Sequence, residues 1–271
     1  MNRQRQIRLA AGQMRVEGGQ VDANLNRAVE MIAEAGRRGC DAIVLPECLD
    51  VGWTYPESRE LSEPISGPRT DRLGRAAARA NLTVVAGLTE RDGHRVFNSA
   101  VLIGPDGRVR LRYRKINVLQ IAQNLYEIGD RLGVVRMEWA TIGMDICSDN
   151  FPNSLDIGRT LGRMGAELIA SPCAWAVDAD HDNSADLYGA LWRGAYGELA
   201  RQFQMVVVGA SNIGPIRAGP WAGRKCIGCS LIVDATGQPA AVGPYDSESL
   251  IVADVAIAFG RPRGTAISGM M

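Results

Sequence analysis

The chain has 271 residues, 46% of them hydrophobic and 22% charged, which suits an ordinary globular protein with one sizeable core. Thirty basic side chains balance thirty acidic ones, so global charge points to neither nucleic acid nor an anionic membrane as partner. No apolar run has the length of a membrane span, and the opening "MNRQRQIRLAAGQM" lacks the apolar segment of a secretory signal. A cytoplasmic location is therefore expected, with the six cysteines as thiols rather than a disulfide framework.

The first amphipathic segment is "DANLNRAVEMIAEAGRRG". Asp22 is its candidate N-cap, Leu25, Val29 and Ile32 share one face, and Arg37, Arg38 and Gly39 close it. The apolar run "AIVL" follows and ends at Pro46 and Glu47. "TDRLGRAAARAN" is a weaker helix with Thr70 as candidate cap. "NLTVVAGLTE" and "SAVLIGPDGRVRLRY" then read as strands, the latter a hairpin around Asp-Gly.

The second half repeats the plan. "GCDAIVLPE" at 39–47 is echoed by "GAELIASPC" at 165–173, "NLTVVAGLTE" at 81–90 by "QMVVVGASNIG" at 204–214, and the hairpin at 99–113 by "CSLIVDATGQPAAVG" at 229–243. "SLDIGRTLGRMGAE" and "LYGALWRGAYGELARQF" fill the helical slots, the latter with Ser184 or Asp186 as candidate cap. Strands this apolar are covered on both faces. The pattern predicts an α/β fold, two internally repeated halves stacked as a layered sandwich, in a single domain over 1–271. In the last helix, Leu187, Leu191, Gly194 and Leu199 are assigned to the core, and Tyr188, Trp192, Ala195 and Tyr196 to other faces. That surplus of apolar surface predicts a homodimer or a larger even-numbered homo-oligomer through the 154–203 region.

Three strand ends carry reactive groups. In "RVRLRYRK" the side chains alternate, so Val109, Leu111, Tyr113 and Lys115 share the face opposite Arg108, Arg110, Arg112 and Arg114. Lys115 either snorkels to water or meets a carboxylate in an interior cleft. Glu47 follows a buried strand, at the kind of end where open α/β sheets bind ligands. Cys147 ends the strand of "GMDIC", before a polar turn; it is either a buried core thiol or a nucleophile.

Together these motifs resemble the nitrilase superfamily, the carbon–nitrogen hydrolases. The carriers are "LPEC" with Glu47, "YRKIN" with Lys115 and "GMDIC" with Cys147, flanked by "AAGQM", "GPDGRV", "IGD", "SPCAW", "GCSLIVDATG" and "ADV". The resemblance covers nearly the whole chain and implies a four-layer αββα sandwich with no metal and no organic cofactor. It implies that Cys147 attacks a carbonyl or nitrile carbon and forms an acyl-enzyme. Glu47 would act as general base and acid, and Lys115 with the backbone N–H of Ser148 would stabilise the oxyanion.

The chain also departs from the pattern. Where many members carry "C-Y-D-x-R-F-P-E", this one has "CSDNFPN", with Asn153 in place of the last acid. A further structural glutamate is expected where Ala122 stands, leaving Glu127 as the nearest candidate supporting acid. Nitrilases show "C-W-E" at the nucleophile, so "CSD" favours an amide or N-carbamoyl compound as the small-molecule substrate. A catalytically silent or acyl-transferring relative remains the alternative. Trp53 and Trp175 are candidates to line the substrate pocket, with rim packing as the other reading. "CIGC" lacks a second cysteine pair or a nearby histidine for a zinc site, and His94 and His181 lie outside the strand-end motifs.

Overall fold

A computed structural model of the protein describes residues 4–185, 187–260, 263–265 and 267. The first half contains β1 (Gln4–Gln13), α1 (Val21–Arg37), β2 (Ala42–Val44), α2 (Ser58–Leu61), α3 (Pro68–Ala80), β3 (Thr83–Asp92), β4 (Arg95–Ile103) and β5 (Val109–Arg114). The second contains β6 (Val134–Arg136), β7 (Thr141–Met144), α4 (Asp156–Arg163), β8 (Leu168–Cys173), β9 (Ala176–Asp178) and α5 (Gly189–Phe203). It continues with β10 (Val206–Ser211), β11 (Ile213–Pro215), β12 (Arg224–Ile227), β13 (Leu231–Val233), β14 (Pro239–Val242) and β15 (Ser249–Ala258).

One six-stranded sheet runs β15-β1-β2-β3-β4-β5, a second runs β14-β13-β10-β8-β7-β6, and a small sheet runs β11-β12-β9. In the first, β1, β2 and β3 pair in parallel, and β4 and β5 continue antiparallel. In the second, β7, β8 and β10 pair in parallel, and β13 and β14 continue antiparallel. The halves therefore share one topology, the expected internal repeat. Each gains an antiparallel edge strand, β15 beside β1 and β6 beside β7.

Period-two alternation gives each sheet two apolar faces. Ile7, Leu9 and Ala11 of β1 meet Val206, Val208 and Ala210 of β10 in a core between the sheets. On the outer face of the first sheet, Ile43 and Val84 pack under Leu25 and Ile32 of α1 and Leu73 of α3. On the outer face of the second, Ile169 and Val207 pack under Leu161 of α4 and Trp192, Tyr196 and Leu199 of α5. The fold is a four-layer αββα sandwich.

Burial rather than capping sets the helix starts. A buried Leu or Ile is worth about 1.5–3 kcal/mol, against about 1 kcal/mol for a cap. Asp22 lies inside the first turn of α1, with Gln20 at the cap position. Thr70 sits at the third residue of α3, accepting the Gly67 N–H at 2.9 Å rather than serving as the cap itself. Tyr188 occupies the cap position of α5; Ser184 bonds Asp182 instead, and Asp186 lies outside the described residues.

Leu199 of α5 lies in the core as expected, but the rest of the expected assignment is inverted. Trp192, Ala195 and Tyr196 are buried, whereas Leu187 and Leu191 are 57% and 40% exposed. An aromatic side chain buries about 150–250 Å², more than a leucine, so the aromatics take the inward face. Trp192 stacks on Trp175 with centroids 4.7 Å apart. The surplus aromatic patch does not exist, and the argument for self-association drawn from it falls. Among the described residues no helix is long and apolar enough to cross a membrane.

Candidate active site

Glu47 lies three residues beyond β2, Lys115 directly after β5, and Cys147 three residues beyond β7. The first two come from one sheet and the third from the other, so the site forms where the sheets face each other. The Glu47 N–H spans that seam, donating to the Cys173 carbonyl at 3.2 Å.

Glu47 is held tightly from below. Its loop passes so close to β3 that a Cβ on Gly87 would come within 2.5 Å of Glu47 Cα. Lys115 Nζ donates to Glu47 Oε1 at 2.6 Å, with the two side chains 2% and 1% exposed. Asn98 Nδ2 donates to the same oxygen at 2.6 Å, and its carbonyl accepts the Lys115 N–H at 2.8 Å. Glu47 Oε2 is buried and has no partner among the described residues. Burial opposes the charge on Lys115, but Glu47, Cys147 and Asp149 more than offset it, so its pKa is raised and it remains an ammonium.

Cys147 has a left-handed backbone, φ +48°, and opens a short 3₁₀ turn through Asn150. A non-glycine residue there is strained by about 1–2 kcal/mol, so something must hold it. Asp149 does so. Its carboxylate accepts the Ile146 N–H at 2.9 Å, the Asn117 N–H at 2.8 Å and the Tyr113 hydroxyl at 2.7 Å. The Cys147 turn is thereby tied to the loop that carries Lys115. Ser148 adds a second tie, its hydroxyl donating to the Asn117 carbonyl at 2.8 Å.

The Cys147 thiol is half-buried and lies against the Cys173 thiol. That contact, burial and the charge of Glu47 push its pKa well up, while Lys115 works in the opposite direction. At rest the Cys147 side chain is thus a neutral thiol. Beside it, burial and then the charge of Asp149 push the Asp145 carboxyl up to about 7.

The remaining expected residues divide. Glu127 is exposed, its backbone N–H donates to the Val96 carbonyl at 2.8 Å, and among the described residues its carboxylate makes no hydrogen bond or ion pair with Glu47, Lys115 or Cys147. Ala122 is buried among Trp53, Tyr126, Ala174 and Cys226, so apolar packing fills the position of the expected glutamate. Trp175 is fully buried against α5 and lines core rather than pocket, because its indole gains more area under the helix layer. Trp53 does line a cavity of about 280 Å³, with Arg15, Asn212, Arg217 and Cys226. Cys226 lies within electrostatic reach of Glu47. No group of three or more His, Cys, Asp or Glu among the described residues is placed to hold a metal ion. Sequence reasoning gave no role to Asn98, Asp149 or Cys173. Only Asn98, a polar residue inside "VFNSAVLI", carried a visible signal.

Known proteins share this architecture. The family model described as carbon–nitrogen hydrolase matches residues 8–262. A nitrilase of Pyrococcus abyssi is 30% identical over 256 residues, 92% of this chain and 89% of the relative. An omega-amidase of Xenopus tropicalis is 27% identical over 162 residues, 56% of this chain and 58% of that protein. The solved structure of a mutant amidase from Nesterenkonia sp. AN1, with the acetamide moiety of fluoroacetamide added covalently at its active-site cysteine, superposes with TM-score 0.77. It is 20% identical and the match covers 92% of this chain and 89% of that one. With its fold, its three strand-end groups and a family match over nearly its full length, this chain belongs to the carbon–nitrogen hydrolases.

Proposed function

We propose that the protein hydrolyses the carbon–nitrogen bond of a small amide or N-carbamoyl compound through a thioester on Cys147. The observation that carries this reading is the buried Lys115–Glu47 pair at 2.6 Å beside a protonated thiol, with Glu47 Oε2 left unpartnered. Oε2 is the carboxylate oxygen with room for a further hydrogen bond. Glu47 removes the thiol proton as sulfur attacks the carbonyl carbon. Lys115 and the Ser148 N–H receive the oxyanion, an interaction worth about 3 kcal/mol per well-placed donor. Glu47 then returns its proton to the leaving amine, the C–N bond breaks, and a thioester remains. Water, deprotonated by Glu47, attacks the thioester, and the thiol is regenerated with release of the acid.

Amides and N-carbamoyl compounds are favoured over nitriles because Ser148, with its hydroxyl bound to Asn117, stands directly after the nucleophile where nitrilases show tryptophan. A second reading, a silent or acyl-transferring protein, is favoured by Ala122, which places no carboxylate beside Lys115 from that loop. An ammonia-release screen over amides, ureido acids and nitriles separates the two. The hydrolase reading expects turnover of an amide or ureido acid by the native protein and none by Cys147→Ala. Turnover unchanged in Cys147→Ala, or no ammonia from any substrate, contradicts it. Self-association in even numbers belongs to the same proposal, with the exposed Leu187 and Leu191 of α5 as the apolar contact.

A further inference from the structure

The mechanism leaves one nucleophilic group beside the reaction centre unused, the thiol of Cys173. β7 and β8 run in parallel with Met144 opposite Ala170. Beyond that last rung Cys147 opens the 3₁₀ turn, which packs on β8, the strand that ends at Cys173. A disulfide spans a Cα separation of about 4.4–6.8 Å. The two side chains lie within interaction range of each other, and all six cysteines are free. In the reduced state Cys173 rests on the Ser171 carbonyl at 3.2 Å and the Tyr196 hydroxyl at 3.5 Å, while Cys48 contacts the Tyr126 hydroxyl at 3.9 Å and Cys226 contacts Asn212. Cys147 is half-buried, whereas Cys173 is fully buried. An oxidant therefore reaches Cys147 first and finds Cys173 behind it.

We propose that Cys147 and Cys173 form a redox modification site, in which a peroxide converts the nucleophile into a reversible Cys147–Cys173 disulfide. This rests on the reading of Cys147 as the reactive thiol. Glu47 takes the thiol proton as the Cys147 sulfur attacks the peroxide. The O–O bond breaks, and the departing hydroxide collects that proton, leaving a sulfenic acid and water. The Cys173 sulfur then attacks the Cys147 sulfur, and the S–O bond breaks. The second hydroxide takes the Cys173 proton and leaves as water. Two thiols and one hydrogen peroxide yield one disulfide and two waters. The disulfide blocks acyl transfer and shields Cys147 from irreversible oxidation to the sulfinic acid.

The test treats the purified native protein with hydrogen peroxide, quenches it in acid, and counts free thiols after denaturation while mapping linked peptides by mass spectrometry. The expected result is a loss of two free thiols, one crosslink between the Cys147 and Cys173 peptides, and recovery of both thiols with dithiothreitol. Cys173→Ala is expected to form no such crosslink and to accumulate sulfinic acid at Cys147 that dithiothreitol does not reverse. Oxidation that stops at sulfenic or sulfinic acid in the native protein overturns the proposal, as does a crosslink to any other cysteine. Neither readout needs a substrate. A crosslink in a protein that releases no ammonia would sink the hydrolase reading alone, whereas ammonia release without a crosslink would sink this one.

Discussion

The residue that most shapes the site is one that takes no direct part in the chemistry. Asp149 holds two buried backbone N–H groups and a buried hydroxyl, and through them the strained Cys147 turn and the Lys115 loop. Removing the acceptor orphans those donors, at a cost of about 1–3 kcal/mol each in the worst case. Asp149→Ala is accordingly expected to lose about 3 kcal/mol of stability and most of its turnover, with Asp149→Asn falling between it and the native protein. Denaturant titration with parallel rate measurements checks this; a fully active, equally stable Asp149→Ala protein would contradict the positioning role. Asp145 makes the opposite prediction. Its carboxyl is pushed up to about 7 in the folded state, so its stabilising contribution is present below the ordinary value near 4 and is lost as pH rises to about 7. Asp145→Asn keeps an acceptor for the Asn150 amide, which now donates to Asp145 at 2.6 Å. The substitution should therefore raise the melting temperature more at pH 8 than at pH 5, with a ceiling of about 4 kcal/mol. An equal change at both values would refute the assignment.

Among the elements, the strand ends were legible from sequence and the helix faces were not. Alternation in "RVRLRYRK" put Lys115 on the buried face, and the structure buries Tyr113 and Lys115 while leaving Arg110 and Arg112 exposed. Period two is fixed by the backbone, so one apolar set identifies the face. In α5 both faces are apolar, and the choice was made by the space above β8 and β10, which Trp192 and Tyr196 fill. Nothing local in the sequence encodes that space. The same holds for Asp149 and Cys173, whose roles depend on neighbours in other strands. β3 illustrates how an element positions a candidate catalytic group through its backbone alone. Gly87 lies against the Glu47 backbone, where an added Cβ would meet Pro46 O at 2.6 Å. Backbone on both sides leaves no flexible end to move aside, so Gly87→Ala must displace Glu47. We expect a marked fall in turnover for Gly87→Ala even though every group proposed for the chemistry is retained; native rates in that variant would show that the Glu47 loop tolerates the shift.

At the scale of the whole molecule, the repeat explains why three distant segments converge. Two copies of one topology, packed face to face, bring the carboxyl ends of β2 and β7 to a common seam, and the hairpin strand β5 delivers Lys115 to it. The convergence was expected from the ordered motifs, whereas the echo between "AIVLPE" and "LIASPC" matches β2 with β8. Assembly does not follow, because the patch first assigned to it is interior. The exposed Leu187 and Leu191 instead predict that sedimentation of the native protein gives an even-numbered species, and that the double substitution Leu187→Ser with Leu191→Ser lowers it. A native protein that sediments as a single protomer would contradict this. The central claim concerns one covalent bond. The most direct measurement is mass spectrometry of the enzyme quenched in acid while turning over an amide or ureido acid. The account predicts an added mass equal to the acyl part of the substrate, localised to the Cys147 peptide and absent from Cys147→Ala. Turnover with no adduct under any quench and with Cys147→Ala still active, or an adduct on another residue, would contradict it.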